Sequence, residues 1–281
     1  MKVFIKKLLR ALFPSSHQKI IHRLQVLLSI VEFNPHEVQL AYRVLRKRAE
    51  YKVMIDVGAH IGGSLRAFAL DDWRIFAFEP DPVNREELEQ MCRQFPAVTI
   101  DTRAVSDEIK SDVPFYRSDV SSGISGLSSF HPSHEETGKV STVTLDQFCQ
   151  EQQLDGIDFL KVDTEGYDLF VLRSIPWERI TPRLIVCEFE DRKTVPLGYN
   201  YHDMGQYLID HGYHVLVSEW FPIAEYGGHH RWRTFADYPT ELVGGELGHG
   251  NLIATANEED FKRLKEICRS YQFKAKLRVS R

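Results

Sequence analysis

Val53-Met-Ile-Asp-Val-Gly-Ala-His-Ile-Gly62 is the stretch whose reading decides the fold. Val53 to Val57 is a run of strand length, apolar on both alternating faces except at Asp56, as expected of a strand covered on both sides of a sheet. The turn that follows holds Gly58, Ala59 and His60, and Gly62-Gly63 predicts the opening of a helix that runs to Leu70. Glycine permits backbone torsions closed to other residues and lets another group approach the main chain closely. In an open parallel sheet, ligands bind in the crevice outside the carboxyl ends of the strands.

Outward from this stretch the same rhythm repeats. Arg74 to Phe78 and Val98 to Asp101 read as strands, with a helix over Pro82 to Phe95 between them. Phe159 to Val162 and Leu184 to Phe189 are strands flanking a helix at Tyr167 to Ser174. A helix at Met204 to His211, strands at Tyr213 to Ser218 and Asn251 to Thr255, and a closing helix at Glu258 to Tyr271 complete the pattern. Strands alternating with helices specify an α/β fold, a mostly parallel sheet with helices on both faces. The serine-rich segment from Val113 to Val143 interrupts it and reads as a hairpin, Val113–Tyr116 against Val140–Val143, around a mobile loop. Residues 1–50 read as an N-terminal helical extension, with helices at Ile20–Val31 and Val38–Leu45, and residues 51–281 as the main domain.

The 281 residues are 43% hydrophobic and 27% charged, ordinary for a globular chain. A formal charge of -5 gives nucleic acid no support as the main partner. Cys92, Cys149, Cys187 and Cys268 form no CxxC pair and read as free thiols in a reducing cytoplasm. Before Glu32 there is no acidic residue, while Lys2, Lys6, Lys7, Arg10, Lys19 and Arg23 are interleaved with apolar side chains. That run is too short and interrupted to span a bilayer, which takes about 20 apolar residues. It reads as an amphipathic helix, either lying on an anionic membrane surface through residues 1–30 or packing on the domain.

The second strand ends in Glu79-Pro80, 21 positions after Gly58. An acid there accepts hydrogen bonds from a ribose diol; its alternative use is to cap the helix beginning near Pro82. A dinucleotide site calls for G-x-G-x-x-G, and His60 stands where the second glycine belongs. S-adenosylmethionine has no phosphate and needs an acid near its amino group, which Asp56 and the following turn supply. Both cofactor classes remain open on these features, so an NAD(P)-dependent oxidoreductase and a non-catalytic cofactor-binding protein stand as alternatives. A third element, Lys161-Val-Asp-Thr-Glu-Gly-Tyr167, sets Asp163 and Glu165 at the end of a central strand, either facing the same crevice or capping the next helix.

In order and spacing, Ile55-Asp-Val-Gly-Ala-His-Ile-Gly62, Ala77-Phe-Glu-Pro-Asp81, Ala104-Val-Ser-Asp107, Val143-Thr-Leu-Asp146 and Leu160-Lys-Val-Asp-Thr-Glu-Gly166 resemble the FkbM family of S-adenosylmethionine-dependent O-methyltransferases. The resemblance covers about Val53 to Leu172 and continues loosely to Ile253. It implies a Rossmann-like class I methyltransferase with a seven-stranded sheet whose last strand is antiparallel. It further implies that Asp56, Gly58 and Glu79 line the cofactor site, within a cofactor-binding set that includes Ala59, His60, Gly62 and Pro80. Ala104 and Val105 would lie beside the adenine and Asp163 near the methionine end. Ile61-Gly62-Gly63-Ser64 departs from the family's usual turn and leaves the contacts of Ser64 open.

Methyl transfer to a sugar hydroxyl is helped by a general base, for which Asp163, Glu165 and His230 are the leading candidates and His202 and His229 lesser ones. Asp163, Glu165 and Glu188 are also oxygen ligands suited to a hard divalent ion. The aromatic and charged loop Ser218 to Arg233 suits a carbohydrate acceptor, and equally an anchored lid. The acceptor expected is a small-molecule or glycan hydroxyl, which the basic N-terminus would suit in a lipid-linked form.

Overall fold

The computed structural model describes residues 35–228 and 230–279. The basic segment 1–30, the helix expected at Ile20–Val31 and His229 lie outside the described residues. Strands β1 (Val53–Val57), β2 (Arg74–Phe78), β3 (Val98–Asp101), β8 (Phe159–Val162), β9 (Leu184–Glu190), β10 (His214–Trp220), β11 (Trp232–Asp237) and β12 (His249–Thr255) form one sheet, ordered β11-β10-β12-β9-β8-β1-β2-β3. β9, β8, β1, β2 and β3 run parallel to one another, whereas β12 is antiparallel to both β9 and β10. These are the seven strands expected, with the last one in sequence antiparallel. An eighth, β11, extends the sheet by pairing antiparallel with β10. Its residues fall in the segment read as a loop: the buried Trp232 and Phe235 are three positions apart and give no period-two signal beside the glycines and prolines around them.

Every residue of β1 is buried because both faces of the sheet are covered. Ile55 and Val57 join one core with Phe76, Phe148 and Leu160, and Met54 joins the other with Phe68, Trp73 and Phe159. Helix α1 (Glu37–Leu45) closes the second core with Leu40, Ala41, Val44 and Leu45. Its first residue is fixed to the sheet: the buried Glu37 carboxylate accepts from Ser218 Oγ at 2.6 Å and Trp220 Nε1 at 2.8 Å.

The helix expected from Gly62 begins only at Arg66, as the short α2 (Arg66–Ala69). His60 and Gly62 have φ of 50° and 84°, left-handed torsions that no right-handed helix accommodates. The chain therefore turns twice before α2 forms. The segment expected to pair as one hairpin divides in two. β5 (Val113–Ser118) pairs antiparallel with β6 (His134–Val140), and β7 (Thr142–Val143) leaves to pair in parallel with β4 (Ala104–Val105). Helices α3 (Pro82–Cys92), α4 (Leu145–Glu151), α5 (Asp168–Arg173), α6 (Asp191–Thr194), α7 (Tyr201–Asp210) and α8 (Glu258–Val279) make the remaining connections. The four cysteines are free and buried, and no helix among the described residues is long and apolar enough to cross a membrane.

Phe68 of α2 secures the turn after β1. It is fully buried, stacked on Phe159 at 4.9 Å, and meets Trp73 and Tyr42 edge-on at 4.7 and 5.2 Å. Phe68→Ala is expected to cost about 3–5 kcal/mol in urea unfolding, the range for a core aromatic that leaves a cavity.

Candidate functional site

A pocket lies at the carboxyl ends of β1, β2 and β8, in the crevice where an open sheet of this kind takes ligands. Val57, Gly58, Asp163 and Thr164 form its floor, with Phe78, Glu79 and Pro80 on one side and Ala104, Val105 and Tyr167 on another. The fourth side was not legible in the sequence. Phe115 and Ser125-Gly126-Leu127 reach in from the β5–β6 arm, where a backbone bridge joins Tyr116 to Gly126. The arm is strapped across the crevice at three points. Ser122 Oγ pairs with His60 Nε2 at 2.9 Å, Asn84 Nδ2 donates to the Ser122 carbonyl at 3.2 Å, and Arg117 bridges to Asp81 at 2.8 Å. The one clue in the sequence was a pair of apolar residues, Ile124 and Leu127, between glycines in a polar stretch.

Glu79 is positioned as a ligand-facing carboxylate. Its Oε2 accepts from the His60 N–H at 2.7 Å and its Oε1 from the Asp81 N–H at 2.9 Å. The left-handed turn at His60 aims that N–H, which explains a non-glycine residue at this φ. Burial raises the Glu79 carboxyl to about 7, against the two backbone donors. It does not cap α3; Asp81 does, accepting from Val83 N at 2.9 Å.

Of the residues expected at the site, the pocket brings together Gly58, Glu79, Pro80, Ala104, Val105 and Asp163. Asp56, Ala59, His60 and Gly62 stand behind its wall. Asp56 is fully buried, takes a hydrogen bond from Ser64 Oγ and faces Lys161 Nζ at 3.5 Å. Ser64 thus serves the wall. Ala59 N–H donates to the Phe78 carbonyl, and a side chain at Gly62 would overlap Met91.

Lys161 joins these parts. Its Nζ donates to the Gly58 carbonyl at 2.7 Å and sits 3.2 Å from Asp163 and 3.5 Å from Asp56. Burial opposes the ammonium charge, but Asp163 and Asp56 together hold its pKa above the ordinary lysine value. Burial likewise works against the Asp163 charge, yet Lys161 keeps that carboxyl below its ordinary range. Asp163 remains 39% exposed at the side chain and faces the pocket as an anion.

Glu165, with φ of 57°, turns away to the adjoining rim. There Lys193 Nζ lies 2.6 Å from Glu165, 2.8 Å from Glu188 and 2.9 Å from Glu190. Burial raises the Glu165 carboxyl to about 7. His230 is apart from the pocket lining, exposed, with its ring 5.8 Å from that of His249. His202 pairs with Glu241 at 3.7 Å on the surface. The loop proposed to meet substrate uses much of its chemistry internally. Tyr226 donates to Glu190 Oε1 at 2.9 Å and packs on the His131 ring at 5.4 Å, while Arg231 and Arg233 lie over Phe221 at 4.0 and 4.3 Å.

Gly58 is required by the protein itself. A Cβ there would overlap the Asp163 carbonyl oxygen, and its φ is 78°. Gly63, with nothing within 4 Å of a built Cβ and no left-handed torsion, is the matched control. Gly58→Ala is expected to lower stability by more than about 2 kcal/mol in thermal unfolding, and Gly63→Ala to stay within roughly 0.5 kcal/mol.

A model of the methyltransferase FkbM domain matches residues 56–215. Hexuronic acid methyltransferase AglP of Haloferax volcanii is 25% identical over 132 residues, 47% of this chain and 53% of that protein, so the chain spans about half the length of this curated relative. Among solved structures, methyltransferase FkbM from Methylobacillus flagellatus KT is similar at a TM-score of 0.43 and 13% identity, covering 86% of this chain and 60% of that one. The putative methyltransferase SMU.1697c of Streptococcus mutans, in complex with SAH, is similar at a TM-score of 0.41 and 9% identity, covering 79% of this chain and 98% of that one. The family model extends over more than half of the sequence, and the chain belongs to the FkbM methyltransferase domain family.

Proposed function

We propose that this protein transfers a methyl group from S-adenosylmethionine to a hydroxyl of a sugar or glycan-type acceptor. The observation that carries the reading is the donor set of one pocket. Glu79 offers carboxylate oxygens to a ribose diol, Ala104, Val105 and Leu127 offer an apolar slot to a flat base, and Asp163 offers negative charge to an ammonium. This set fits an adenosine ligand with an amino-acid tail. It lacks the bare backbone and helix N-terminus that a pyrophosphate requires, since the turn after Gly58 curls back on itself and its His60 N–H is spent on Glu79. Family membership supports the methyltransferase over the oxidoreductase on the same ground. The sugar acceptor is supported by AglP, whose name specifies a hexuronic acid.

When bound, the cofactor supplies an activated sulfonium methyl, and the protein's contribution is alignment. Gly58 and Asp163, locked together through Lys161, fix the floor against which the donor would lie. Besides meeting the ammonium, Asp163 is assigned the proton of the acceptor hydroxyl, because Lys161 leaves it 39% exposed and it lines the pocket with Glu79, whereas Glu165 lies outside the lining. The β5–β6 arm excludes water from the reacting atoms.

Three measurements test this reading. Incubation with labelled cofactor and a panel of neutral sugars, hexuronic acids and host glycan fractions should yield one methylated acceptor class; transfer to none of them refutes the acceptor. Asp163→Asn should lower kcat by about 10²-fold or more, the usual worth of a proton acceptor. S-adenosylhomocysteine affinity should rise with pH. The diol is bound by ionised Glu79, whose carboxyl sits at about 7 in the free protein, so affinity should gain roughly tenfold from pH 6 to 8 and level off above. Glu79→Gln should flatten that profile in titration calorimetry.

A further inference from the structure

β5 and β6 pair only with each other, so the height of their arm above the crevice is set by side-chain contacts. His60, Asn84 and Asp81 hold it on the side of β1 and α3. Tyr226 holds it from the end of β9. Its ring meets His131 edge-on at 5.4 Å and Phe130 at 6.0 Å. Its hydroxyl donates to Glu190 Oε1 at 2.9 Å and accepts from Arg192 Nη2 at 2.7 Å, which ties the ring to the sheet end and to α6. The next residue touches the arm as well: a Cβ built on Gly227 would lie 3.6 Å from the Val120 carbonyl oxygen. Tyr226 is only 9% exposed and does not line the pocket.

From His131 the contacts run inward. The His131 N–H donates to His134 Nδ1 at 3.4 Å, which assigns the proton of the neutral ring to Nε2. Burial holds the His134 pKa below the ordinary histidine value and so favours that neutral form. Nε2 then donates to the Ile124 carbonyl at 2.9 Å, while Phe130 packs edge-on against the same imidazole at 4.7 Å. Ile124 is buried and directly precedes Ser125-Gly126-Leu127, the part of the arm that lines the pocket.

We propose that Tyr226 is a positioning residue of the pocket: docked on Glu190 and Arg192, it sets, through His131 and His134, where Leu127 lies against the bound base. This role presupposes the donor pocket of the proposed function. Tyr226 itself touches neither donor nor reacting atoms, and the pocket's fourth wall is fixed from outside the pocket.

The experiment combines titration calorimetry of S-adenosylhomocysteine with amide hydrogen exchange of residues 122–128 in the cofactor-free protein. Tyr226→Leu removes ring and hydroxyl together. It should weaken binding about fivefold or more and speed exchange of that segment about tenfold, with β1 as protected as in the wild type. Tyr226→Phe keeps the ring on His131 and should restore most of both properties. His134→Ala should reproduce the two losses without altering Tyr226, and it decides the matter if Tyr226→Leu does not fold. Wild-type affinity and exchange in either folded variant overturn the proposal, as does a phenylalanine variant as impaired as the leucine one. If the wild-type protein binds no S-adenosylhomocysteine, the donor reading fails, and exchange at residues 122–128 still decides the role of Tyr226.

Discussion

The ammonium of Lys161 is the constraint on which the site depends. It is held from three sides, by the Gly58 carbonyl, Asp56 and Asp163. These groups come from the ends of two adjacent parallel strands and the turn between β1 and α2. A buried cation with excellent partners contributes less to net stability than its contacts suggest, because desolvation offsets most of the Coulomb gain. Its value here is positional. It fixes the direction of the Asp163 carboxylate and the height of the Gly58 peptide. Asp56 pulls Ser64 into the same arrangement, so the first turn after β1 is braced from behind while its front faces the pocket.

Much of this was legible in the chain. The five buried residues of β1, the ending of β2 at Glu79-Pro80 and the spacing to Asp163 follow from hydrophobic period and strand length. What the sequence does not encode locally is the depth of each residue. Asp56 looks like a ligand acid because it is charged within an apolar run, and the structure buries it fully against Lys161. Gly62 looks like a concession to a ligand, yet Met91 is the group that approaches it. Both positions show one thing: sequence spacing says that a side chain or a bare backbone position is needed, and tertiary packing decides what meets it. The β5–β6 arm was illegible for a different reason. Its closure rests on His60–Ser122, Asn84–Ser122 and Arg117–Asp81, polar contacts between residues dozens of positions apart that no local pattern encodes.

Two buried lysines divide the acidic rim into separate electrostatic compartments. Lys161 serves Asp56 and Asp163 under the pocket, and Lys193 serves Glu165, Glu188 and Glu190 beside it. The carboxylates at the two places consequently diverge: Asp163 falls below its ordinary range, while burial carries Glu165 up to about 7. Neighbouring acids two positions apart in sequence thus reach the same pH in different protonation states, a familiar way of separating tasks within one crevice.

The segment that closes over the crevice hangs from a ribbon appended to the parallel sheet. β5 and β6 pair only with each other, and β11 lies at the outer edge, joined to β10 alone. Residues 119–133 are therefore clamped at both ends by strands that bear none of the charged floor. Insertions there lengthen a loop whose closure entropy grows only slowly with length. The architecture separates length from chemistry: the β5–β6 loop can grow or shrink while the strand ends beneath it stay unchanged.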